Sequence, residues 1–338
     1  MPSTIRDVAR RAGVSISTVS RVLNDTSPVA EDKRALVFEA AEALGYAPNP
    51  AALSLHGKRT GGVGVLLPFV SGEFFSELLN GLDGAAQELG LFLTVSTSHR
   101  RADEFQKTVR ALDKRVDGLI VMAPELDADG AAPLVKPGRP VVFVNTDAQG
   151  LPADVLNFDN YGGARALTEH LLDVGHRRIA YIRGPATVWD ARERARGYRD
   201  AMAEAGVSTD GLVFDGDYTR ETGHAVAQSC LNARPRPTAI LAANDYCALG
   251  AVSALHAAGV AVPGEVVVCG FDGLPSTRYT VPPLTTARVP IREIGDRAVR
   301  RLVTRLDGED GTFLYDVAPV EVEVRESTAT EHGGTVAV

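Results

Sequence analysis

The chain has 338 residues with 43 acidic and 35 basic groups, a net charge of −8, and a hydrophobic fraction of 45%. That length and composition exclude chain-long disorder and supply material for about two domains. The acidic balance excludes a uniformly basic nucleic-acid coat protein. The charge is uneven, however: residues 1–60 carry eight Lys or Arg and six Asp or Glu, net +2, which leaves −10 on the rest. A small basic head on an acidic body is the asymmetry expected of a protein that meets DNA at one end.

The head reads as three short helices. Thr4 and Asp7 frame a helix start, with the acid where the helix dipole favours negative charge. Ile5, Val8, Ala9 and Ala12 fall at helical spacing, and Gly13 stops the helix. Ser15 caps a second helix whose core face is Val19, Val22 and Leu23 and whose exposed face is Ile16, Ser17, Ser20, Arg21 and Asn24. Two short helices joined by a glycine turn predict a helix-turn-helix. A third helix over about Glu31–Leu44 takes Leu36, Val37, Ala40, Ala41 and Leu44 as its buried stripe, and Tyr46 covers the small core. Pro48 to Leu55 then predicts a hinge segment: Pro50 suits a first helical turn, but the stretch is too short to be helical alone in water.

From residue 61 the pattern alternates strand and helix. Strands are expected at Val63–Leu67, Leu91–Ser96, Gly118–Met122, Val141–Asn145, Ile179–Arg183, Val213–Asp215, Ala239–Ala242 and Val266–Gly270. Helices are expected at Phe74–Leu89, Glu104–Leu112, Gly162–Leu172, Arg192–Ala205, Gly223–Leu231 and Ala248–Ala258. The fold class is therefore α/β, with two similar lobes of parallel sheet behind a three-helix head. No dinucleotide-binding or phosphate-loop glycine string, no zinc-protease motif and no nucleophile elbow occurs, so no enzyme is predicted. Cys230, Cys247 and Cys269 stand 17 and 22 residues apart without a metal-binding spacing, so no metal and no cofactor is expected, only buried reduced thiols. The absence of a leader-like or membrane-length apolar run predicts a soluble, cytoplasmic protein with no membrane partner.

The ordered strings IRDVARRAGVSISTVSRVLN and VAEDKRALVFEAAEALGYAPNPAALSL resemble the DNA-binding head of the lac repressor–gal repressor family. Further stretches resemble the periplasmic sugar-binding-protein fold carried by that family. They are Phe74–Phe75, Val116–Ile120, Asp159–Gly163, Gly175–Ala180, Ala243–Asp245, Gly270–Asp272 and Pro282–Thr286. The resemblance implies a helix-turn-helix domain over 1–46, a hinge over 47–60, and an effector-binding and dimerisation body over 61–338. Within the body it implies lobe 1 over about 61–160 and 291–322, and lobe 2 over about 161–290 and 323–332. It implies DNA contacts from Arg6, Ser15, Ile16, Ser17, Thr18, Arg21, Asn24, Asn49 and Leu55, with Leu55 wedged between base steps. Leu53 stands where the family usually has Arg.

In such folds the ligand sits outside the carboxyl ends of the strands. Those ends nominate Phe74, Asn145, Trp189, Asp190, Arg192, Arg194, Tyr218, Asn244 and Asp272. Asp272 is expected to accept from two hydroxyls, Arg192 to donate, and Trp189 or Tyr218 to cover an apolar sugar face. Val289 replaces the family's usual Gln. The predicted protein is a repressor that binds a palindromic operator as a homodimer through a face including Phe74–Leu89, and is gated by a small molecule, a sugar in the first reading. A nucleoside effector and a solute-binding protein are the alternatives. The tail from Thr328 lacks leucine heptads, so no coiled-coil tetramer is implied.

Overall fold

The computed structural model describes residues 3–23, 28–46, 59–98, 102–112, 115–308 and 311–329. Asn24, Asn49, Leu55, most of the hinge and the tail beyond residue 329 lie outside the described residues. The N-terminal unit and the body that follows form two separate compact units.

In the head, α1 spans Ile5–Ala12, α2 Ile16–Leu23 and α3 Glu31–Ala43. Asp7 accepts from the Thr4 backbone N–H at 3.0 Å and from its hydroxyl at 2.6 Å, which closes the first turn of α1. Gly13 adopts the left-handed conformation, φ 66°, that ends the helix and turns the chain into α2. The three helices bury Val8, Ala9, Ala12, Val19, Val22, Val37, Ala40 and Ala41, with Leu23, Leu44 and Tyr46 packed at the margin. Leu36 departs from the expected stripe and is 47% exposed. Val37, Ala40, Ala41 and Leu44 already follow the i, i+3, i+4, i+7 rhythm, and Leu36 sits one step outside that face.

The body holds two six-stranded sheets. Its elements are β1 Gly62–Leu67, α4 Glu73–Glu88, β2 Phe92–Thr97, α5 Ala102–Leu112, β3 Gly118–Val121, α6 Ala128–Ala131, β4 Val141–Val144 and β5 Asp154–Phe158. They continue as α7 Asn160–Asp173, β6 Ile179–Ile182, α8 Trp189–Glu204, β7 Val213–Phe214, α9 Arg220–Asn232, β8 Ala239–Ala242, α10 Asp245–Ala257 and β9 Val267–Asp272. The last are β10 Thr285–Arg288, α11 Ile291–Leu306, β11 Tyr315–Ala318 and β12 Glu321–Glu323. Lobe 1 has strand order β11-β5-β4-β3-β1-β2, and its pairs are all parallel. Lobe 2 has order β12-β10-β9-β8-β6-β7, parallel except for the β10–β12 pair.

The chain crosses between the sheets after β5, after β10 and after β11. β12 belongs to the lobe 2 sheet, which corrects the placing of residues up to 322 in lobe 1. The strands β5, β10, β11 and β12 and the helices α6 and α11 add to the elements expected from sequence. The α11 stripe of Ile291, Ile294, Ala298, Val299 and Leu302, set against arginines on the other face, is an amphipathic period, so this helix was legible in the sequence. Close helix packing rests on glycine. A Cβ on Gly223 would lie 2.0 Å from the Cys247 carbonyl oxygen, and one on Gly250 would lie 2.0 Å from that of Arg220, so α9 and α10 approach backbone to backbone.

The three cysteines are buried and free. Among the described residues no helix is long and apolar enough to cross a membrane, and no group of His, Cys, Asp or Glu is placed to hold a metal ion.

Candidate DNA-reading face and effector cavity

On the head, Ser15 supplies the N-terminal cap of α2. Its hydroxyl accepts from the Thr18 backbone N–H at 3.1 Å and lies 2.7 Å from the Ser17 hydroxyl and 2.8 Å from that of Thr18. The hydroxyl cluster fixes the first turn of α2 with side chains short enough for a phosphate or a groove edge to approach the helix N-terminus. Ile16 beside it is 46% exposed, and Ser17, Arg6 and Arg21 are also exposed, while Thr18 is half-buried. Neither Arg6 nor Arg21 pairs with a carboxylate among the described residues, so both guanidinium groups are available to a polyanion.

In the body, a cavity of about 320 Å³ opens at the carboxyl ends of the strands of both lobes. Its two walls differ in chemistry. Lobe 1 contributes Pro68, Phe69, Ser71, Phe74 and Phe75 from the loop after β1 and the start of α4, with Met122 and Pro124 after β3. Lobe 2 contributes Asp190 and Arg194 from α8, Asp217, Tyr218 and Thr219 after β7, Asn244 and Tyr246 around the start of α10, and Asp272 at the end of β9. One wall is apolar and aromatic; the other is almost wholly polar.

The polar wall is a connected network. Arg194, 3% exposed, donates from Nε to Asn160 Oδ1 at 2.9 Å. From Nη1 it donates to the Ala243 carbonyl at 2.6 Å and to Asp272 Oδ1 at 3.2 Å. Its guanidinium lies over the Phe271 ring at 3.8 Å, which holds the plane. Asp190 accepts from Asn145 Nδ2 and from the Tyr218 hydroxyl, each at 2.9 Å, and Asn160 Nδ2 donates to Asn145 Oδ1 at 2.9 Å. Asn244 uses its Oδ1 to cap α10 through the Cys247 N–H at 3.0 Å, and its Nδ2 donates to the Tyr218 carbonyl at 3.1 Å. Arg194 Nη2 and Asp272 Oδ2 have no hydrogen-bond partner among the described residues. They form an adjacent donor and acceptor on the cavity wall.

Burial, with repulsion from Asp190, raises the Asp272 carboxyl to about 7 against the opposing pull of Arg194. Asp245 lies behind it, wholly buried. Burial and the neighbouring Asp272 drive it well above the carboxylate range, although Thr286 Oγ1 donates to it at 2.6 Å and the Leu274 N–H at 2.8 Å. Burial likewise drives the Tyr218 phenol well above its ordinary range. Arg194 stays a cation: burial opposes its charge, but Tyr218, Asp272 and Asp190 more than offset that.

Three non-glycine residues adopt positive φ among the described residues: Asn145 at 45°, Tyr218 at 70° and Asp272 at 118°. All three belong to this network, and backbone held in such conformations marks a site over-determined by its surroundings.

Of the nine residues nominated from strand ends, Phe74, Asp190, Arg194, Tyr218, Asn244 and Asp272 line the cavity. Asn145 does not; it is 1% exposed and bridges Asp190 to Asn160 below the wall. Arg192 is corrected: it points to solvent and donates to the Thr187 carbonyl at 3.2 Å. Trp189 is corrected as well, because it starts α8, half-buried, and is not part of the cavity wall. The apolar cover comes from Phe69, Phe74, Phe75 and Tyr246. Pro68, Phe69, Met122 and Pro124 are missing from the sequence reading, although they follow β1 and β3 and the strand-end rule applies to them equally.

A family model described as bacterial regulatory proteins, lacI family, matches residues 4–49, and one described as a periplasmic binding protein-like domain matches residues 168–328. The chain is 34% identical to the HTH-type transcriptional regulator DegA of Bacillus subtilis over 97% of its own length and 99% of the relative's. It is also 34% identical to the HTH-type transcriptional repressor PurR of Photobacterium profundum, over 96% of this chain and 98% of that one. Among solved structures, the lac repressor dimer bound to operator and an anti-inducer superposes with a TM-score of 0.86 at 31% identity, covering 98% of this chain and all of that one.

Proposed function

Because the chain belongs to the LacI family of bacterial transcriptional regulators, we propose that its cavity admits a sugar or glycoside and that occupancy of the cavity sets its grip on operator DNA. The protein is a DNA-binding repressor-type regulator, not an enzyme, that meets its operator as a dimer and carries a domain for a small-molecule effector. DNA contact falls to Ser15, Ile16, Ser17, Thr18 and Arg21 of α2 and to Arg6 of α1, and the chain works in the cytoplasm, where the DNA lies.

The observation that carries the sugar reading is the Arg194–Asp272 pair on one wall, joined through Nη1 and Oδ1 so that Nη2 and Oδ2 are left for a ligand, opposite phenylalanine rings on the other. A pyranose presents hydroxyls along its edge and a C–H face to its side. The edge suits a charged donor and acceptor, and the face suits an aromatic ring. Lobe closure on the ligand would then change how the two lobe 1 units of the dimer sit, at a coupling cost of about 1–3 kcal/mol in a typical allosteric system. The aromatic wall also suits a nucleobase, and a nucleoside is the second reading.

A thermal-shift series with mono- and disaccharides, methyl glycosides and nucleosides tests it. Each compound that stabilises the protein is then added to a fluorescence-anisotropy titration of the promoter-proximal operator. Stabilisation by a saccharide that also shifts operator affinity is expected. Stabilisation by nucleosides alone would replace the sugar reading with the second one.

A further inference from the structure

Polar contacts join the lobes at several places. Asn145 Nδ2 reaches Asp190 at 2.9 Å and the Trp189 N–H reaches the Pro124 carbonyl at 2.8 Å. A further contact borders the cavity and converges on one residue, Glu73, the first of α4. Its backbone N–H donates to the Tyr246 hydroxyl of lobe 2 at 2.7 Å, and its carboxylate Oε2 accepts from the Ser276 N–H, also of lobe 2, at 3.0 Å. These partners lie 173 and 203 residues away in sequence.

The surroundings are fitted to this contact. Gly72, φ 95°, precedes Glu73, and a Cβ there would lie 2.7 Å from the Tyr246 hydroxyl oxygen. The Tyr246 ring is itself covered by the Arg220 guanidinium at 4.2 Å. The next two residues, Phe74 and Phe75, are cavity wall, as is Tyr246.

An acid in a first helical turn is ordinarily explained by the helix dipole alone, and a first-turn N–H ordinarily turns to water. Here both groups are spent across the cleft.

We propose that Glu73 is a positioning residue for effector capture: from the start of α4 it clasps Tyr246 and Ser276 and holds the cleft shut over the cavity. Breaking the clasp moves the population toward the open cleft, and an effector that binds the closed form then loses apparent affinity in proportion. The consequence for affinity rests on the effector reading above. The closure itself does not, and it is measured without ligand.

Trp189 is the only tryptophan of the chain and sits at a neighbouring cross-lobe contact, so it reports closure. The experiment is acrylamide quenching of Trp189 in the full-length dimer for wild type, Glu73→Ala, Glu73→Gln and Tyr246→Phe. Glu73→Ala and Tyr246→Phe are expected to raise the quenching constant about twofold or more, as a population shift to the open cleft requires. Glu73→Gln, which keeps a carbonyl oxygen to accept from Ser276, stays near wild type. An unchanged constant in Glu73→Ala, or a rise in Glu73→Gln as large as in Glu73→Ala, overturns the proposal.

If Glu73→Ala fails to fold, amide hydrogen exchange on Tyr246→Phe decides. That change keeps the ring and removes only the hydroxyl, so exchange at the Glu73 amide should speed up while the core of α4 stays protected. An unaltered Glu73 amide overturns the clasp. Failure of every sugar to bind leaves these measurements standing.

Discussion

Arg194 and Asp272 form an ion pair at 3.2 Å in which the two side chains keep only 4% and 8% of their exposure. The arginine comes from the second turn of α8 and the aspartate from the last position of β9, so the pair joins two elements of lobe 2 in the cavity wall. A pair this buried is sensitive to losing one partner. Arg194→Met leaves Asp272 and Asp190 without their cation and should destabilise the protein by about 3–5 kcal/mol, read as a fall in urea midpoint at constant slope. A loss below about 1 kcal/mol would mean that Asp272 is already neutral in the resting protein.

Asp272→Asn removes the charge and keeps the shape. It should abolish the effector-dependent change in operator affinity while operator binding itself persists, as measured by anisotropy with and without a stabilising ligand. An unaltered dose-response would take Asp272 out of the site.

The same carboxyl gives the protein a pH dependence of defined sign. Its folded pKa, about 7, lies above the unfolded value of 3.8, so between those limits the folded state holds a proton that the unfolded state has released. Stability from this group is therefore fully present below pH 4, is lost as pH rises toward 7, and changes no further above it. Asp245, raised for the same reason, acts in the same direction. Urea unfolding at a series of pH values should show this fall in wild type and a shallower one in Asp272→Asn; an equal slope in the two would place the titration elsewhere.

On the head, Arg21→Ala should weaken operator binding by about 1–3 kcal/mol and relax base preference, because a guanidinium is the side chain best matched to a guanine edge. Effector affinity should not move, since Arg21 belongs to a different compact unit from the cavity. Equal losses in both measurements would contradict the modular reading.

Ser15→Ala removes the cap of α2 and should cost about 1 kcal/mol of head stability in thermal unfolding, with Ser15→Gly costing less. A neutral Ser15→Ala would mean that Ser17 or Thr18 takes over the cap.

How much of this was legible before folding varies by residue. The Gly13 turn, the Ser15 cap and the strand ends that locate Asn244 and Asp272 are local features. They depend on backbone conformation and apolar period over a few residues, and the sequence carries those directly. The choice between Arg192 and Arg194 is not local. Two positions apart on a helix of about 3.6 residues per turn, they point to nearly opposite sides. Which one meets the cleft is set by how α8 docks on its sheet, a contact with α7 and β6 that no short window contains.

The aromatic wall is of the same kind. Phe69 and Phe75 of lobe 1 face Tyr246 of lobe 2 only when the two lobes come together, and the clasp that Glu73 makes with residues 173 and 203 positions away forms in the same way. Chain order therefore determined most of the elements and the strand ends that locate the cavity, though β5, β10, β11 and β12 emerged only with the fold. The tertiary structure decided which polar side chains share a buried network, because hydrogen bonding and desolvation depend on distances through space that residue order does not set.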